Sequence, residues 1–313
     1  MTDFAGTAVL LMAHGTPDSL AEMPEYLRIV RGGRPPSPEL IAEMTRNYEA
    51  IGGRSPLTRI TEQQAEALRH VLGGSIPVVV GMRTWRPFIA EAVAALDAGI
   101  TRLIGIPLAP QFSTLSVDKY IAAARAAVPL TMQLVCVRSF HDHPLLLDAF
   151  ADRLRHAGPI GSDEDVIFTA HSLPERVVRE GDPYPDQVAA TAAAVADRCG
   201  LARYLIAYQS AGRTPEPWIG PDIADLIARR AAEGVRRFLV VPVGFVSDHT
   251  EILFDIDVHA AARARECGAV LRRTESLNTA PLFIRTLAAL VREAVERHDG
   301  SMSTRAAMGP PSS

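Results

Sequence analysis

The sequence predicts an α/β fold: two similar Rossmann-like domains, each a parallel sheet flanked by helices, with an active-site cleft between them. Three observations predict it. Residues 9–17 (VLLMAHGTP) and 166–174 (VIFTAHSLP) are each an apolar run ending in Ala-His-x-x-Pro. Residues 99–107 (GITRLIGIP) and 234–242 (GVRRFLVVP) share a Gly, a β-branched residue, an Arg, an apolar run and a closing Pro. Each is followed by a polar segment, containing Ser113 in one case and Ser247 in the other. Strand-length apolar runs alternate with helix-period segments along the chain, the pattern of parallel sheets covered by helices. The repeat is far too long for a solenoid, so a duplicated domain accounts for it.

The first half opens with a strand at 8–13. Residues 19–59 then interrupt the alternation. Tyr26, Leu27, Ile29 and Val30 fit one short helix, and Leu40, Ile41, Met44 and Tyr48 another, separated by Gly32-Gly33 and Pro35-Pro36. An insertion at this point overhangs the cleft as a lip. It carries Arg28, Arg31, Arg34, Arg46, Arg54 and Arg59. A solvated helical surface explains each singly. As a group they suit a polyanionic ligand, because guanidinium forks bind carboxylates bidentately.

Helices at 61–72, 87–98 and 116–127 alternate with strands at 76–82, 102–107 and 132–137. A helix at 145–156 and the hinge Gly158-Pro-Ile-Gly161 lead into the second half. There, strands at 165–170, 203–208, 237–242 and 269–273 enclose helices at 185–199 and 222–234, and 282–297 is a closing helix. The domains are therefore 1–145, including the lip 19–59, and 146–300, whose last helix is placed to pack back on the first. The tail 301–313 is small, polar and Pro-rich and is expected to be disordered.

The chain has 313 residues, 48% of them hydrophobic and 22% charged, enough for two packed cores. Its net charge of −4 argues against nucleic-acid binding, which calls for a basic surface. Cys136, Cys199 and Cys267 are far apart and form no C-x-x-C pair, as in a reducing compartment. With no signal-peptide pattern and no apolar run long enough to span a bilayer, a cytoplasmic chain is expected. No G-x-G-x-x-G follows the first strand and no P-loop motif occurs, which excludes dinucleotide and P-loop readings.

Ligands of open α/β sheets lie beyond the carboxyl ends of the strands, where His14 and His171 fall. The segment 247–259 (SDHTEILFDIDVH) lies beyond another strand. As a helix from about Thr250 it would set Glu251, Asp255 and His259 at i, i+4 and i+8, on one face. Carboxylate with imidazole suits ferrous iron or a similar divalent ion. Bland readings compete. Asp248 as N-cap with Glu251 at the third helical position would be a capping box. His171 alone would serve equally as a core histidine bonded to backbone, and His249 as a partner group or an exposed one. Trp218, in the Gly- and Pro-rich loop 210–221, fits stacking on a flat ligand or plugging the core.

These residues together resemble the ferrochelatases. The resemblance rests on Ala13-His14-Gly-Thr-Pro17, Ile51-Gly-Gly-Arg-Ser55-Pro-Leu57, Thr61-Glu-Gln-Gln-Ala65, Ala170-His171-Ser-Leu-Pro174, Gly181-Asp-Pro-Tyr-Pro185 and Phe245-Val-Ser-Asp-His-Thr-Glu251. It runs from about Val9 to Leu290. Arg31-Gly-Gly-Arg34-Pro-Pro-Ser-Pro38 and Tyr48-Glu-Ala-Ile-Gly-Gly53 are most similar to the soluble, monomeric bacterial branch acting on coproporphyrin III. The resemblance implies insertion of Fe²⁺, the substrate metal, into a porphyrin, giving Fe-coproporphyrin III for haem biosynthesis.

By the same resemblance, His171 and Glu251 are the catalytic pair and metal site, and Asp255 and His259 an outer site that could take Mg²⁺. His14 is a candidate axial ligand, standing where the similar branch has tyrosine. Arg31, Tyr48, Ser55 and Tyr120 match porphyrin-contacting positions. Asn47 stands where an arginine commonly meets a propionate, and His259 where an acid is frequent. The cysteines do not match a [2Fe–2S] pattern, so no cluster is expected. Partners would be an iron donor and haem-pathway enzymes. Protoporphyrin IX as substrate, a cobalt or nickel tetrapyrrole chelatase, and a haem or porphyrin carrier are the rival readings.

Overall fold

The structure, a computed structural model, describes residues 4–212 and 214–307, with side chains as far as Arg297. The first half runs β1 (Thr7–Ala13), α1 (Met23–Val30), α2 (Pro38–Ala50), α3 (Leu57–Val71), β2 (Val78–Met82), α4 (Ile89–Ala94), β3 (Arg102–Pro107), α5 (Val117–Ala127) and β4 (Gln133–Cys136). α6 (Pro144–His156) leads to β5 (Glu164–His171), α7 (Glu175–Arg179), α8 (Tyr184–Arg198), β6 (Leu205–Gln209), α9 (Ile223–Ala232) and β7 (Arg237–Val241). Then follow α10 (Thr250–Leu253), a π-helical segment Asp255–Ala260, α11 (Ala261–Glu266), β8 (Val270–Arg273) and α12 (Pro281–Ala307).

Two four-stranded parallel sheets result, ordered β2-β1-β3-β4 and β6-β5-β7-β8. The order is the same in both, as the sequence repeat requires. In each sheet the connections reverse direction beside the strand that leads to a histidine, β1 or β5, so each histidine lies where such sheets bind ligands. β1 is buried along its whole length, consistent with a parallel strand covered on both faces.

Every expected strand is present, with ends that agree or shift by a residue or two in either direction. α3 starts a turn earlier than expected, because Ser55 Oγ accepts the Leu57 amide at 3.4 Å and Pro56 forms the N-cap. The helix expected over 87–98 is only Ile89–Ala94, since the Pro87 carbonyl is taken by the Met82 amide at 2.6 Å as an extension of β2. The short α7 was not expected. The stretch 301–313, expected to be disordered, is helical as far as Ala307, because α12 continues into it; residues 308–313 lie outside the described part.

One apolar cluster joins the halves. It takes Val9, Leu11, Ile104 and Ile106 from the first sheet, Val166, Phe168, Leu239 and Val241 from the second, and Phe150, Phe283, Leu287 and Val291 from the helices between them. α12 packs on both α3 and α6. A separate cluster of Met23, Tyr26, Leu27, Tyr48 and Trp85 anchors the lip. The lip is therefore a packed element, with most of its arginines left outward.

Candidate active site

In the second half, β5 ends on His171 and the chain leaving β7 passes back over it. Gly244 permits that approach: a Cβ there would lie 2.6 Å from Ala170 Cβ and 2.7 Å from its Cα. The chain then reaches Asp248, which does not cap the helix. Its carboxylate accepts from Ser276 Oγ at 2.7 Å, Asn278 Nδ2 at 2.8 Å and Arg273 Nη2 at 3.0 Å. The N-cap of α10 is the extended His249, with no side-chain capping bond. The capping-box reading of Glu251 is thereby corrected, and its carboxylate is left for the cleft. Oε1 lies 3.7 Å from His171 Nε2 and Oε2 lies 3.5 Å from His249 Nε2. Gln209 Nε2 holds the Glu251 carbonyl at 2.6 Å.

The helix after Glu251 is not α-helical as its spacing predicted. The His259 amide bonds the Phe254 carbonyl, five residues back, at 2.8 Å. Such wide turns are rare and cluster at functional sites. Asp255 stays beside the cleft, bonded to Ser210 Oγ, while His259 is exposed. Among the described residues no group of three or more His, Cys, Asp or Glu side chains is placed to hold a metal ion. A cation such as Mg²⁺ needs an oxygen-rich shell, and Asp255 with His259 offers one carboxylate and one imidazole. That pair does not form a dedicated cation cage.

Electrostatics divide the acids. Desolvation would raise Glu251, but the imidazoles of His171 and His249 outweigh it and hold the carboxyl below the ordinary range. Desolvation lowers His249, yet its bond and charge interaction with Glu251 carry it above the usual value. Asp255 is pushed up to about 6, chiefly by desolvation, with the Glu251 charge adding to the rise. One carboxylate is thus a fixed anion and its neighbour a group able to exchange protons near neutrality.

The first half presents a different arrangement. His14 follows β1 and is held by the chain leaving β2: the Arg83 amide bonds the Ala13 carbonyl at 3.0 Å, and the Thr84 amide and Oγ1 bond the His14 carbonyl at 2.8 and 2.7 Å. Gly15 makes the turn with φ of +90°, and a Cβ there would meet the Trp85 amide nitrogen at 2.8 Å. Arg83 Nη2 lies 3.2 Å from His14 Nδ1, and its guanidinium covers the Tyr120 ring at 5.6 Å. Tyr26 meets His14 edge-on at 6.4 Å and Trp85 at 6.0 Å. Desolvation, then Arg83, brings His14 down to about 4, while the charges of Glu251, His249 and His171 all reach it. The two histidine sites are therefore near enough for their charges to be felt across the cleft.

Tyr48 and Tyr120 are buried at this space, their hydroxyls pushed up to about 12 chiefly by burial. Ser55 lines a cavity of about 620 Å³ with Arg54, Thr58, Arg59, Glu62 and Leu253, between the lip and the start of the π-helical segment. Arg31 is exposed just beyond α1, and Asn47 is half-buried on α2. The structure thus gathers His14, Tyr48, Tyr120, His171, Glu251 and Asp255. It leaves Arg31 and His259 at the surface.

Sequence reasoning missed Arg83, Tyr26 and Tyr184. Tyr184, buried at the start of α8, is bonded to the His171 backbone, and burial drives its hydroxyl far up. Arg83 directly follows a strand, the signal that identified His14. Tyr184 belongs to the Gly181-Asp-Pro-Tyr-Pro185 motif, whose glycine and prolines signal a turn and nothing more. Imidazoles beside a fixed carboxylate can take up protons, and the set can meet a divalent metal in passing.

Comparison with known proteins gives the family and the fold. Residues 6–295 match the family model described as Ferrochelatase. A protein named ferrochelatase from Deinococcus radiodurans is 43% identical over 311 residues, covering 95% of this chain and 98% of its own length. A coproporphyrin III ferrochelatase from Bacillus pumilus is 39% identical over 297 residues, covering 90% and 95%. The fold is similar to the cobalt complex of the sirohydrochlorin chelatase SirB from Bacillus subtilis subspecies spizizenii. The TM-score is 0.56 at 12% identity, over 94% of this chain and 97% of that one.

Proposed function

The chain belongs to the ferrochelatase family, and from that premise we propose which porphyrin it takes and which side chains insert the iron. As a ferrochelatase it is an enzyme of haem biosynthesis that inserts metal into a porphyrin, with ferrous iron as substrate. The porphyrin is coproporphyrin III. The arginine-rich lip supports this choice, since a ring with four propionates offers more carboxylates to guanidinium forks than one with two. So do the relatives named for that substrate, such as the Bacillus pumilus protein.

The reaction removes two pyrrole protons and exchanges the hydration shell of Fe²⁺ for four nitrogens. The observation that carries the proposed roles is Glu251 lying between His171 Nε2 at 3.7 Å and His249 Nε2 at 3.5 Å, opposite His14. The His171 Nδ1 proton is held by the Ser172 carbonyl, which leaves Nε2 with its lone pair toward the cleft. His171 takes a pyrrole proton there, and anionic Glu251 stabilises the imidazolium that forms. His249 keeps Glu251 ionised. Asp255, raised by burial toward neutrality but mostly ionised at pH 7, accepts the proton and passes it on toward solvent. Tyr48, Tyr120 and the lip hold the ring, with Ser55 and the exposed Arg31 assigned to its propionates. An outer Mg²⁺ at Asp255 and His259 has less support, for the ligand shortage given above.

No helix among the described residues is long and apolar enough to cross a membrane. We take the enzyme as a cytoplasmic monomer that receives iron from a donor and hands its product to a later haem-pathway enzyme. The test is anaerobic metalation of coproporphyrin III against protoporphyrin IX. A several-fold higher kcat/KM for coproporphyrin III is expected, and preference for protoporphyrin IX would overturn the substrate. His171→Ala inserting iron at the normal rate would overturn the base.

A further inference from the structure

We propose that Arg83 is a positioning residue that fixes the tautomer of His14, so that the first half offers the porphyrin site an N–H donor and no free imidazole lone pair. This rests on the reading of the cleft as a porphyrin site and deepens it. Guanidinium has five N–H donors and no acceptor. Any hydrogen bond between Arg83 Nη2 and His14 Nδ1, 3.2 Å apart, therefore runs from arginine to a lone pair on Nδ1. An imidazole whose Nδ1 is unprotonated carries its one proton on Nε2. Nε2 is then the only nitrogen left to a ligand, and it presents hydrogen.

The contact is built into the backbone. The pairs Arg83 N to Ala13 O and Thr84 N to His14 O fix the two residues side by side, and Thr84 Oγ1 adds a second bond to the His14 carbonyl. Tyr120 supports the guanidinium from beneath and Tyr26 packs against the imidazole. Neither side chain can turn away without losing packing.

The histidines opposite are fixed the other way. A carbonyl only accepts, so His171 Nδ1 against Ser172 O and His249 Nδ1 against Ser247 O, at 3.0 Å, carry protons. Their Nε2 atoms face the Glu251 carboxylate. The cleft is thus chemically one-sided: a carboxylate flanked by two imidazoles on the second-half face, an N–H with no acid beside it on the first-half face. Bases and metal-holding groups belong to the former. From the latter, product iron receives no histidine ligand, and His14 acts as a hydrogen-bond donor to the ring.

The test begins without porphyrin. In protein labelled with ¹⁵N-histidine, long-range ¹H–¹⁵N spectra at neutral pH identify the protonated nitrogen of each ring, with His14 assigned by the signals lost in His14→Gln. His14 with Nδ1 bare and Nε2 protonated is expected, Arg83→Lys should preserve it, and Arg83→Leu should abolish the preference. His14 protonated at Nδ1 in the wild type, or unchanged by Arg83→Leu, overturns the proposal.

The second arm reads the ferric coproporphyrin III complex by resonance Raman and absorption spectroscopy. Wild type and His14→Gln should give the same spectrum. Arg83→Leu should gain a histidine-ligated signature that disappears in Arg83→Leu/His14→Gln. A histidine-ligated wild type that loses the signature in His14→Gln overturns the proposal. Because the first arm uses no substrate, a protein that proved unable to metalate coproporphyrin would still show which nitrogen of His14 carries the proton.

Discussion

The two halves share a strand order and a histidine at the same sheet edge, yet each histidine is given the opposite partner. His14 accepts from a guanidinium and sits low on the pH scale. His171 donates to a carbonyl and faces a carboxylate. The segments that follow the repeated Gly-to-Pro runs diverge in the same way. After β7 the chain supplies His249 and Glu251 to the cleft. After β3 it supplies Gln111, which donates to Thr191 Oγ1 and the Val243 carbonyl, both at 3.1 Å, and Ser113 and Thr114, which donate to buried Asp182 at 2.7–3.0 Å. On the proposed roles one copy does the chemistry, while the polar segment of the other ties the halves together. A duplicated scaffold fixes where side chains can be delivered, and local partners decide what each delivery does.

The sharpest way to break this contrast is kinetic. His171→Ala and Glu251→Gln should each lower iron insertion by roughly 10²–10⁴-fold, the worth of a positioned proton-transfer group. His14→Gln should retain a rate within about tenfold of wild type, since one hydrogen bond to the ring is at stake. Porphyrin consumption followed by fluorescence under anaerobic conditions measures all three, and equal losses would erase the distinction between the halves.

Next in size is a test of fastening. Asp182→Ala removes a buried acceptor of several hydrogen bonds and leaves the Ser113 and Thr114 donors unpaired, at a cost of about 2–4 kcal/mol. Its counterpart in the other copy, Ser247→Ala, loses one bond from Gln64 Nε2 at 2.8 Å and should cost about 1 kcal/mol. Urea unfolding of both variants sets the two segments against each other. A Ser247 variant less stable than the Asp182 variant would reverse their assigned roles.

The smallest effect is in pH dependence. Glu164 begins β5 and takes Arg272 in a bidentate pair at 2.7 Å, with its carboxylate side chain 1% exposed. The Arg272 hydrogen bonds outweigh desolvation and lower its pKa from 4.5. A depressed acid stabilises the fold above its unfolded pKa and loses that contribution as pH falls through the folded value. Glu164→Gln should therefore lose about 1–2 kcal/mol at pH 7 and show a flatter decline of stability below pH 4.5. In the first half, Arg102 Nε bonds the Thr7 hydroxyl at the start of β1, at 2.9 Å. Thr7→Val should leave the acid limb of the curve unchanged.

Much of this was legible in the sequence because it depends on short-range pattern. Continuous apolar runs specified the buried strands, and the repeated Ala-His-x-x-Pro placed both histidines at strand ends. Glu251 was legible only as one of two readings. The residue that decides between them is Arg273, which takes Asp248 away from the helix terminus and grips Asp257 at 2.7 and 2.9 Å. No window of sequence around Glu251 contains it. The widened turn at Asp255–Ala260 has no local signature either, as its residues fit an ordinary helix equally well. Arg83 shares the strand-end position that marked His14, but a single arginine there usually points to solvent. Only the chain crossing beside Ala13 turns it toward His14.

α12 also governs how the molecule can move. The peptide passes from one half to the other after β4 and returns after β8 to lie on α3 and α6. Two covalent crossings with a shared apolar seam act as a double-stitched joint, not as a single pivot. Wide jaw-like opening would have to tear that seam along its length. A bulky flat guest would enter more easily by displacement of α1 and α2, which are held by their own small cluster.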